Sequence, residues 1–163
     1  MPLVATQSSS PDSALSSPGK IPPAPIELQI ELRWGDMDLN GHINNVQFAR
    51  LLEEGRVRAF TRWFPSGGER LPLLVARQDI EFRAPLYYSA EPVTLRLAIT
   101  RLGTSSYTIG STITSADGVI AALASTTMVI IDPETGRPTP IPPSARAVLE
   151  SNRGELPALR AQG

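Results

Sequence analysis

Residues 33–56 of the sequence read RWGDMDLNGHINNVQFARLLEEGR. This stretch opens with a dense group of polar side chains, which includes two aspartates, three asparagines and the single histidine of the chain. Directly after this group, apolar residues recur at the three- and four-residue spacing of an amphipathic helix. The sequence therefore predicts a junction at which many hydrogen-bonding side chains meet the start of a long helix.

The predicted helix is about five turns long and ends near Phe64, because the breaker residues 65–68 (PSGG) follow it. Its apolar stripe consists of Phe48, Leu51, Leu52, Gly55, Ala59 and Trp63. Glycine costs a helix about 1 kcal/mol relative to alanine. We therefore expect another backbone to approach the helix closely at Gly55.

Charged residues on this helix suggest structural roles. Glu54 lies four residues from both Arg50 and Arg58, which predicts a solvated row of ion pairs. Arg56 falls near the apolar stripe, where pairing with a carboxylate is expected.

Alternating apolar residues predict strands on both sides of the helix. From Ile26 to Trp34 the alternation predicts a strand with one covered face, which leads to Gly35. Further strands are predicted after the helix, around residues 80–84, 93–99, 107–113 and 119–131. Asp117 and Gly118 form a hairpin turn signal before the last of them. One strand, one long helix and about four antiparallel strands make an α+β fold.

A single helix covers only part of such a sheet. The remaining apolar face and the sheet edges predict a homodimer in which two sheets join, or a homotetramer built from two such dimers. The arginines of the predicted strands could bind the phosphates of a ligand. Alternatively, they form the polar outer face that the strands need. These residues are Arg77, Arg83, Arg96 and Arg101.

Composition narrows the classes of function. A chain of 163 residues with 41% hydrophobic residues suits one folded domain. With 15 basic and 16 acidic residues, it shows no charge excess that would favour a nucleic-acid partner. The absence of cysteine excludes disulfides, thiolate metal sites and cysteine nucleophiles, and it suits the cytoplasm. The longest apolar segment falls short of the roughly 20 residues of a membrane span, so no membrane partner is expected.

The chain divides into three predicted regions. Residues 1–25 are rich in serine and proline and predict a disordered leader rather than a signal peptide. Residues 26–132 contain the predicted folded domain. Residues 133–163 predict a proline-rich linker, a short helix around residues 144–151 and a tail.

The polar junction permits several interpretations. Asp, Asn and Gly are common as caps and turn residues, although capping needs only one or two of them. Asp36, Asp38, Asn40 and Gly41 also match the start of an EF-hand calcium loop, but Gln47 stands where that loop needs a bidentate glutamate.

A third interpretation is catalysis on an acyl group. Exposed amides and the positive dipole at a helix start can polarise a carbonyl oxygen. Asp38 could then attack the carbonyl or remove a proton from water, while Asn40 and His42 position that water or the leaving group.

The segment Asp38-Leu39-Asn40-Gly41-His42-Ile43-Asn44-Asn45, preceded by RWGD and followed by LEEGR, resembles the hot-dog-fold acyl thioesterases. The resemblance is to both the 4-hydroxybenzoyl-CoA thioesterase group and the plant acyl-carrier-protein thioesterases, and it covers roughly residues 26–132. It implies a hot-dog fold, in which an antiparallel sheet wraps around one long central helix. It also implies hydrolysis of acyl-CoA or acyl-carrier-protein thioesters without a metal or an organic cofactor.

Site residues follow from this resemblance by position. The nucleophile or base of the hydroxybenzoyl-CoA group falls on Asp38, and the helix-start amide that polarises the thioester carbonyl falls on Asn45. After Gly41 the sequence departs from that group. There it is more similar to the plant enzymes, whose Asp, Asn and His fall on Asp38, Asn40 and His42.

Two alternatives keep the fold and change the function. Hot-dog hydratases add water to an enoyl thioester, but their histidine stands five residues after the aspartate, whereas His42 stands four after Asp38. A noncatalytic acyl-thioester-binding protein could use the same groove to hold a ligand.

Overall fold

The architecture comes from a computed structural model that describes residues 26–65 and 71–160. A first strand precedes the long helix, and four strands and a second helix follow it. The elements are β1 (Ile26–Ile30), a 3-10 turn (Trp34–Asp36), α1 (Asn45–Trp63), β2 (Leu73–Phe82), β3 (Val93–Leu102), β4 (Ser106–Thr114), β5 (Ile120–Ile130) and α2 (Pro143–Ser151). The predicted α+β order is confirmed. The predicted leader, residues 1–25, lies outside the described residues.

All five strands join in one antiparallel sheet with the order β1-β3-β4-β5-β2. The Asp117-Gly118 signal is confirmed, since Gly118 has φ +86° in the turn between β4 and β5. β1 and β2 are the edge strands, and β2 is the longer of the two. One side of β2 is thus left without a strand partner within the described residues.

The core lies between α1 and the sheet. All six residues of the predicted apolar stripe are buried, and the helix packs against β1 and β3. On its other side, Glu54 pairs with both Arg50 and Arg58, which confirms the predicted row. An antiparallel sheet packed against one long helix is the arrangement that the resemblance to hot-dog proteins implies.

Gly55 marks the closest approach of the helix to the sheet. A Cβ atom at this position would lie 1.9 Å from Cδ2 of Leu95 and 3.7 Å from Cδ1 of Leu97, both on β3. The expectation of a nearby backbone was therefore wrong, because the partner is a side chain. Leu95 is fully buried, so it has little room to move away.

The first strand is shorter than the alternation predicts. β1 ends at Ile30, and Trp34 opens the 3-10 turn with 74% of its surface exposed. The alternation continues through buried Leu32 although the strand pairing with β3 has already stopped. Trp34 was therefore wrongly assigned to the covered face of this strand.

A buried ion pair ties the 3-10 turn to α1. Oδ2 of Asp36 accepts hydrogen bonds from the backbone N–H of Arg33 at 2.8 Å and from Nη2 of Arg50 at 2.6 Å. The Asp36 side chain is only 4% exposed. Its backbone carbonyl also accepts from the N–H of Asn44, just ahead of the helix. Both ends of the loop between the turn and the helix are fixed through this one residue.

The C-terminal region packs onto the same fold. Ile141, Ala145 and Leu149 belong to the core cluster, so α2 is not a detached element. After α2, the backbone of Ile99 on β3 exchanges hydrogen bonds with Asn152 and Gly154. No helix of the described chain is long and apolar enough to cross a membrane.

We predict that Gly55→Ala destabilises the protein. Alanine should gain about 1 kcal/mol of helix propensity, but overpacking against Leu95 should cost about 1–3 kcal/mol. The expected net loss in the free energy of unfolding is up to about 2 kcal/mol, measured by urea denaturation. Gly35→Ala is the control, since no atom lies within 4 Å of its Cβ position. A gain of stability in Gly55→Ala would show that Leu95 of β3 does not limit the space at this position of the helix.

We also predict that Asp36→Asn weakens the junction. The substitution keeps an acceptor for Arg33 but removes the charge that pairs with Arg50, which should cost about 1.5–3 kcal/mol of unfolding free energy. Asp79→Asn is the matched control, because Asp79 pairs with the largely exposed Arg77 and should lose less than about 1 kcal/mol. Equal effects of the two substitutions would contradict a structural role for the buried pair.

Candidate active site

A tight turn carries the Asp38 carboxylate. The N–H of Gly41 donates to the Asp38 carbonyl at 3.1 Å, and Gly41 has φ +76°, a backbone conformation that favours glycine. Within the turn, the N–H of Asn40 donates to Oδ1 of Asp38 at 2.8 Å. The carboxylate is half-buried, and Oδ2 accepts no hydrogen bond from the described residues. One oxygen is therefore held by the backbone while the other is available to a ligand.

The start of α1 offers a backbone donor. Asn44 caps the helix, and its side chain accepts from the N–H of Val46 at 3.0 Å. Asn45 is the first helical residue, and the first N–H groups of a helix have no partner within the helix. The first turn contains no acidic residue. The positive end of the helix dipole is therefore not neutralised by the helix itself.

The loop after β2 forms a second wall, which faces the Asp38 turn and the start of α1. The N–H of Ile43 donates to the Leu86 carbonyl at 2.7 Å, and His42 forms a backbone bridge with Tyr87. The rings of His42 and Tyr87 also meet edge to face, with centroids 5.1 Å apart. These contacts hold His42 between the Asp38 turn and the second wall.

A cavity of about 460 Å³ lies between these segments. It is lined by Asp38, His42, Ile43, Asn45, Phe48, Phe82, Arg83, Ala84, Pro85 and Leu86. Three of the four predicted site residues, Asp38, His42 and Asn45, thus face one space. Asn40 is exposed and does not line the cavity. Its contact with the site is the backbone N–H that holds the Asp38 carboxylate.

The sequence did not point to the second wall. Phe82 meets Phe48 edge to face across the cleft between β2 and α1, with centroids 5.1 Å apart. Arg83 lines the cavity while its Nε pairs with Glu81 at 2.8 Å. Of the four strand arginines, only Arg83 lines this cavity. Pro85 marks the end of β2 in the sequence, but no local pattern shows that this end meets the helix start.

Two expectations fail at the site. The Asp36 carboxylate turns inward onto Arg50, so it cannot serve as the first ligand of a calcium loop. Arg56 was expected to pair with a carboxylate, yet its buried Nη1 has no hydrogen-bond partner, and no carboxylate of the described residues forms an ion pair with it. The second expectation was wrong because Arg56 faces a largely apolar cavity, in which the exposed Glu53 acts on it through its charge but forms no ion pair with it.

The arrangement is suited to carbonyl chemistry. A carboxylate, an imidazole and a helix-start amide surround one space, and the amide can stabilise negative charge that develops on an oxygen. Among the described residues, no group of three His, Cys, Asp or Glu side chains lies close enough to hold a metal ion.

Comparison with solved structures shows the same architecture. A thioesterase from Bacillus stearothermophilus, described as predicted, is 30% identical with a TM-score of 0.74, and the match covers 82% of this chain and 100% of that one. A thioesterase from Thermus thermophilus, solved with coenzyme A and Zn, is 28% identical with a TM-score of 0.71 over 82% and 97% of the two chains. A Staphylococcus aureus protein at 17% identity and a TM-score of 0.72, over 82% and 88% of the two chains, shares the fold.

No curated protein matches the sequence. The profile of the thioesterase-like superfamily matches residues 32–149, which span the Asp38 turn, both walls of the cavity and most of α2. This match and the hot-dog architecture of the solved structures agree with the family resemblance of the junction. The chain belongs to the thioesterase-like superfamily.

Proposed function

We propose that the protein hydrolyses acyl thioesters in the cavity next to the start of α1, releasing a free acid and a thiol. One observation carries this proposal: Asp38, His42 and Asn45 line the same cavity at an uncompensated helix start. The family membership agrees with this activity. The Asp38 carboxylate supplies the attacking or basic group, and the helix supplies the electrostatic stabilisation.

The carbonyl oxygen binds at the N–H of Asn45. Asn44 caps the N–H of Val46, so the N–H one position earlier is the donor left for the substrate. As the carbonyl carbon is attacked, negative charge gathers on this oxygen. The N–H group and the positive end of the 19-residue helix both lower the energy of that charge.

Asp38 acts through its unbound oxygen in either of two routes. As a nucleophile, it forms a bond to the carbonyl carbon, the carbon–sulfur bond breaks, and water then hydrolyses the mixed anhydride. As a general base, it takes a proton from a water molecule that attacks the same carbon. Both routes end with a carboxylic acid and a free thiol, and both require Asp38 beside the carbonyl.

His42 and Asn40 have different supporting roles. His42 lines the cavity and meets Tyr87 edge to face, and within the described residues its ring nitrogens form no hydrogen bond, so they can hold water or the leaving sulfur. Asn40 acts through its backbone, because its N–H fixes Oδ1 of Asp38. Asn40 is therefore a positioning residue that acts through its backbone rather than through a side chain that touches the substrate.

Coenzyme A is the carrier that we propose. The Thermus thermophilus thioesterase at 28% identity was solved with coenzyme A. Arg83, at the cavity, is the arginine best placed to meet its charged groups. The zinc of that structure has no counterpart in our mechanism, because among the described residues only Asp38 and His42 bring a carboxylate or an imidazole to the cavity.

A second copy of the chain should cover the exposed edge of the sheet. β2 has one unpaired side, and exposed apolar side chains lie on it and on the neighbouring surface of α1. They are Leu74, Val75, Phe82, Val46 and Val57. A long apolar edge strand favours pairing with an identical strand about a two-fold axis. We therefore propose a homodimer, which could pair further into a tetramer, acting in the cytoplasm.

Asp38→Asn is predicted to lower kcat by at least about 100-fold, within the roughly 10²- to 10⁴-fold range of general acid–base catalysis. Asparagine can still accept from the N–H of Asn40, so the turn is preserved while the charge is lost. Release of free coenzyme A, followed with a thiol reagent over a panel of acyl-CoAs, measures the rate. Asp79→Asn is the control at an aspartate outside the cavity.

The same panel separates the competing functions. A binding protein would release no coenzyme A from any substrate. A hydratase would consume the enoyl absorbance of an enoyl-CoA without releasing thiol. Unchanged turnover in Asp38→Asn would remove this residue from the mechanism.

His42→Phe is predicted to lower kcat by at least roughly tenfold. This factor corresponds to the free energy of one hydrogen bond to a charged group. Phenylalanine keeps an aromatic ring against Tyr87 but has no nitrogen, so the packing is retained. Tyr87→Leu is the complementary control, because it removes the ring contact and keeps the imidazole. If Tyr87→Leu were as slow as His42→Phe, the role of His42 would be packing alone.

A further inference from the structure

A second cavity, of about 320 Å³, lies farther along α1. It is lined by the C-terminal half of α1 and by β2, β4 and β5. Most of its wall is apolar and consists of Val57, Phe60, Leu73, Val75, Ile109 and Met128. Its volume is within the range of about 300–1,000 Å³ that is usual for small-molecule pockets.

Arg56 places an unpaired cation in this apolar wall. Its Nη1 is buried without a hydrogen-bond partner, and no carboxylate in residues 26–65 or 71–160 forms an ion pair with it. Burial lowers the pKa of the guanidinium, and the charge of Glu53 offsets this only in part. A guanidinium nitrogen such as this Nη1, which has lost water and gained no partner, is costly unless a ligand supplies an acceptor.

Two neutral donors stand in the same wall. Trp63 is 6% exposed, and its Nε1 has no hydrogen-bond partner among the described residues. Tyr107 is almost fully buried, and burial raises the pKa of its phenol, which keeps the O–H protonated. The one carboxylate that lines the cavity, Glu53, belongs to an exposed residue. Most polar groups of the cavity wall are thus hydrogen-bond donors.

The two cavities lie along the same pair of elements. The first contacts Asn45 and Phe48 of α1 and Phe82 at the end of β2. The second contacts later residues of α1 and earlier residues of β2, as expected for segments that run in opposite directions. Arg56 comes 11 residues after Asn45, a rise of about 16 Å at 1.5 Å per residue. Helical side chains lean toward the N-terminus, which shortens this gap.

We propose that the second cavity holds the far end of the acyl group, and that Arg56 binds a carboxylate at that end. The preferred substrates are then acyl thioesters of medium to long chain that carry a terminal carboxylate rather than a terminal methyl group. This inference rests on the proposed thioesterase function. In this proposal the Phe48–Phe82 pair, which lines the first cavity, contacts the middle of the acyl chain.

Charge complementarity selects the carboxylate. A methyl end would fill the apolar wall but leave the guanidinium, the indole N–H and the phenol O–H without acceptors. A carboxylate has two oxygens and can accept from a planar guanidinium and a neighbouring donor together. Unsatisfied buried donors disfavour the plain acyl chain, and this penalty provides discrimination.

The test compares two acyl-CoAs of equal chain length, one with a terminal carboxylate and one with a terminal methyl group. The wild-type protein should favour the carboxylate-ended substrate in kcat/KM by roughly 10- to 100-fold. Arg56→Met keeps an apolar stem of similar length and should abolish this preference by lowering kcat/KM for the carboxylate-ended substrate. Arg58→Met is the control, since Arg58 pairs with Glu54 and does not line the cavity.

Calorimetry with free acids tests the cavity without turnover. A dicarboxylic acid should bind the wild-type protein and Arg58→Met more tightly than the monocarboxylic acid of equal length, and Arg56→Met should lose the difference. If no acyl-CoA is hydrolysed but this difference is found, the proposed function fails and the cavity assignment stands.

Two outcomes would overturn the assignment. The first concerns the kcat/KM of the carboxylate-ended substrate divided by that of the methyl-ended substrate. The assignment fails if this ratio is at or below one in the wild-type protein, or if Arg56→Met leaves it unchanged. The other is that the dicarboxylic acid fails to bind while light scattering shows that Arg56→Met dissociates an assembly of the wild-type chain. In that case the partner of Arg56 is a second copy of the protein.

Discussion

The buried pair between Asp36 and Arg50 is the contact on which the site depends. It joins the short turn after β1 to the second turn of α1, and the loop between them carries Asp38 and His42. A carboxylate that is 4% exposed cannot remain unpaired, so the loop has little freedom to leave the helix. The Asp38 carboxylate and the helix-start amide are thereby held on one side of one cavity. Electrostatic catalysis needs this kind of preorganisation, because donors that must reorient during the reaction stabilise less charge.

The packing of α1 determines which residues the helix presents to each cavity. Leu95 occupies the space that a side chain at residue 55 would need, and so the helix lies close to β3. The helix packs more closely against β1 and β3 than against β2. Both cavities lie along the less closely packed side of the helix, between α1 and β2. Near one end of this side, Phe48 of α1 contacts Phe82 of β2. Close packing on one side and an open cleft on the other are compatible with a rigid reaction centre and a long binding groove.

The sequence predicted those features that depend on local periodicity or on a short motif. The six-residue stripe of α1, the Glu54 ion-pair row and the hairpin at Gly118 all follow from side-chain spacing, and the structure has them. The junction motif led to Asp38, His42 and Asn45, which line one cavity, although their roles remain predictions. Trp34 was misassigned, because the alternation of apolar residues continues beyond the last strand pair. The wall formed by Phe82 and Arg83 and the isolation of Arg56 depend on contacts between distant segments, which periodicity does not report.

The central claim is that a thioester carbonyl lies between the Asp38 carboxylate and the first amide of α1. The most direct measurement is a crystal structure with a nonhydrolysable acyl-CoA analogue, in which a methylene group separates the carbonyl from the sulfur. The account predicts the carbonyl oxygen within about 3 Å of the Asn45 nitrogen, with an Asp38 oxygen facing the carbonyl carbon directly or through one water molecule. An analogue bound with its carbonyl away from both groups, while the protein still hydrolyses thioesters, would contradict the account.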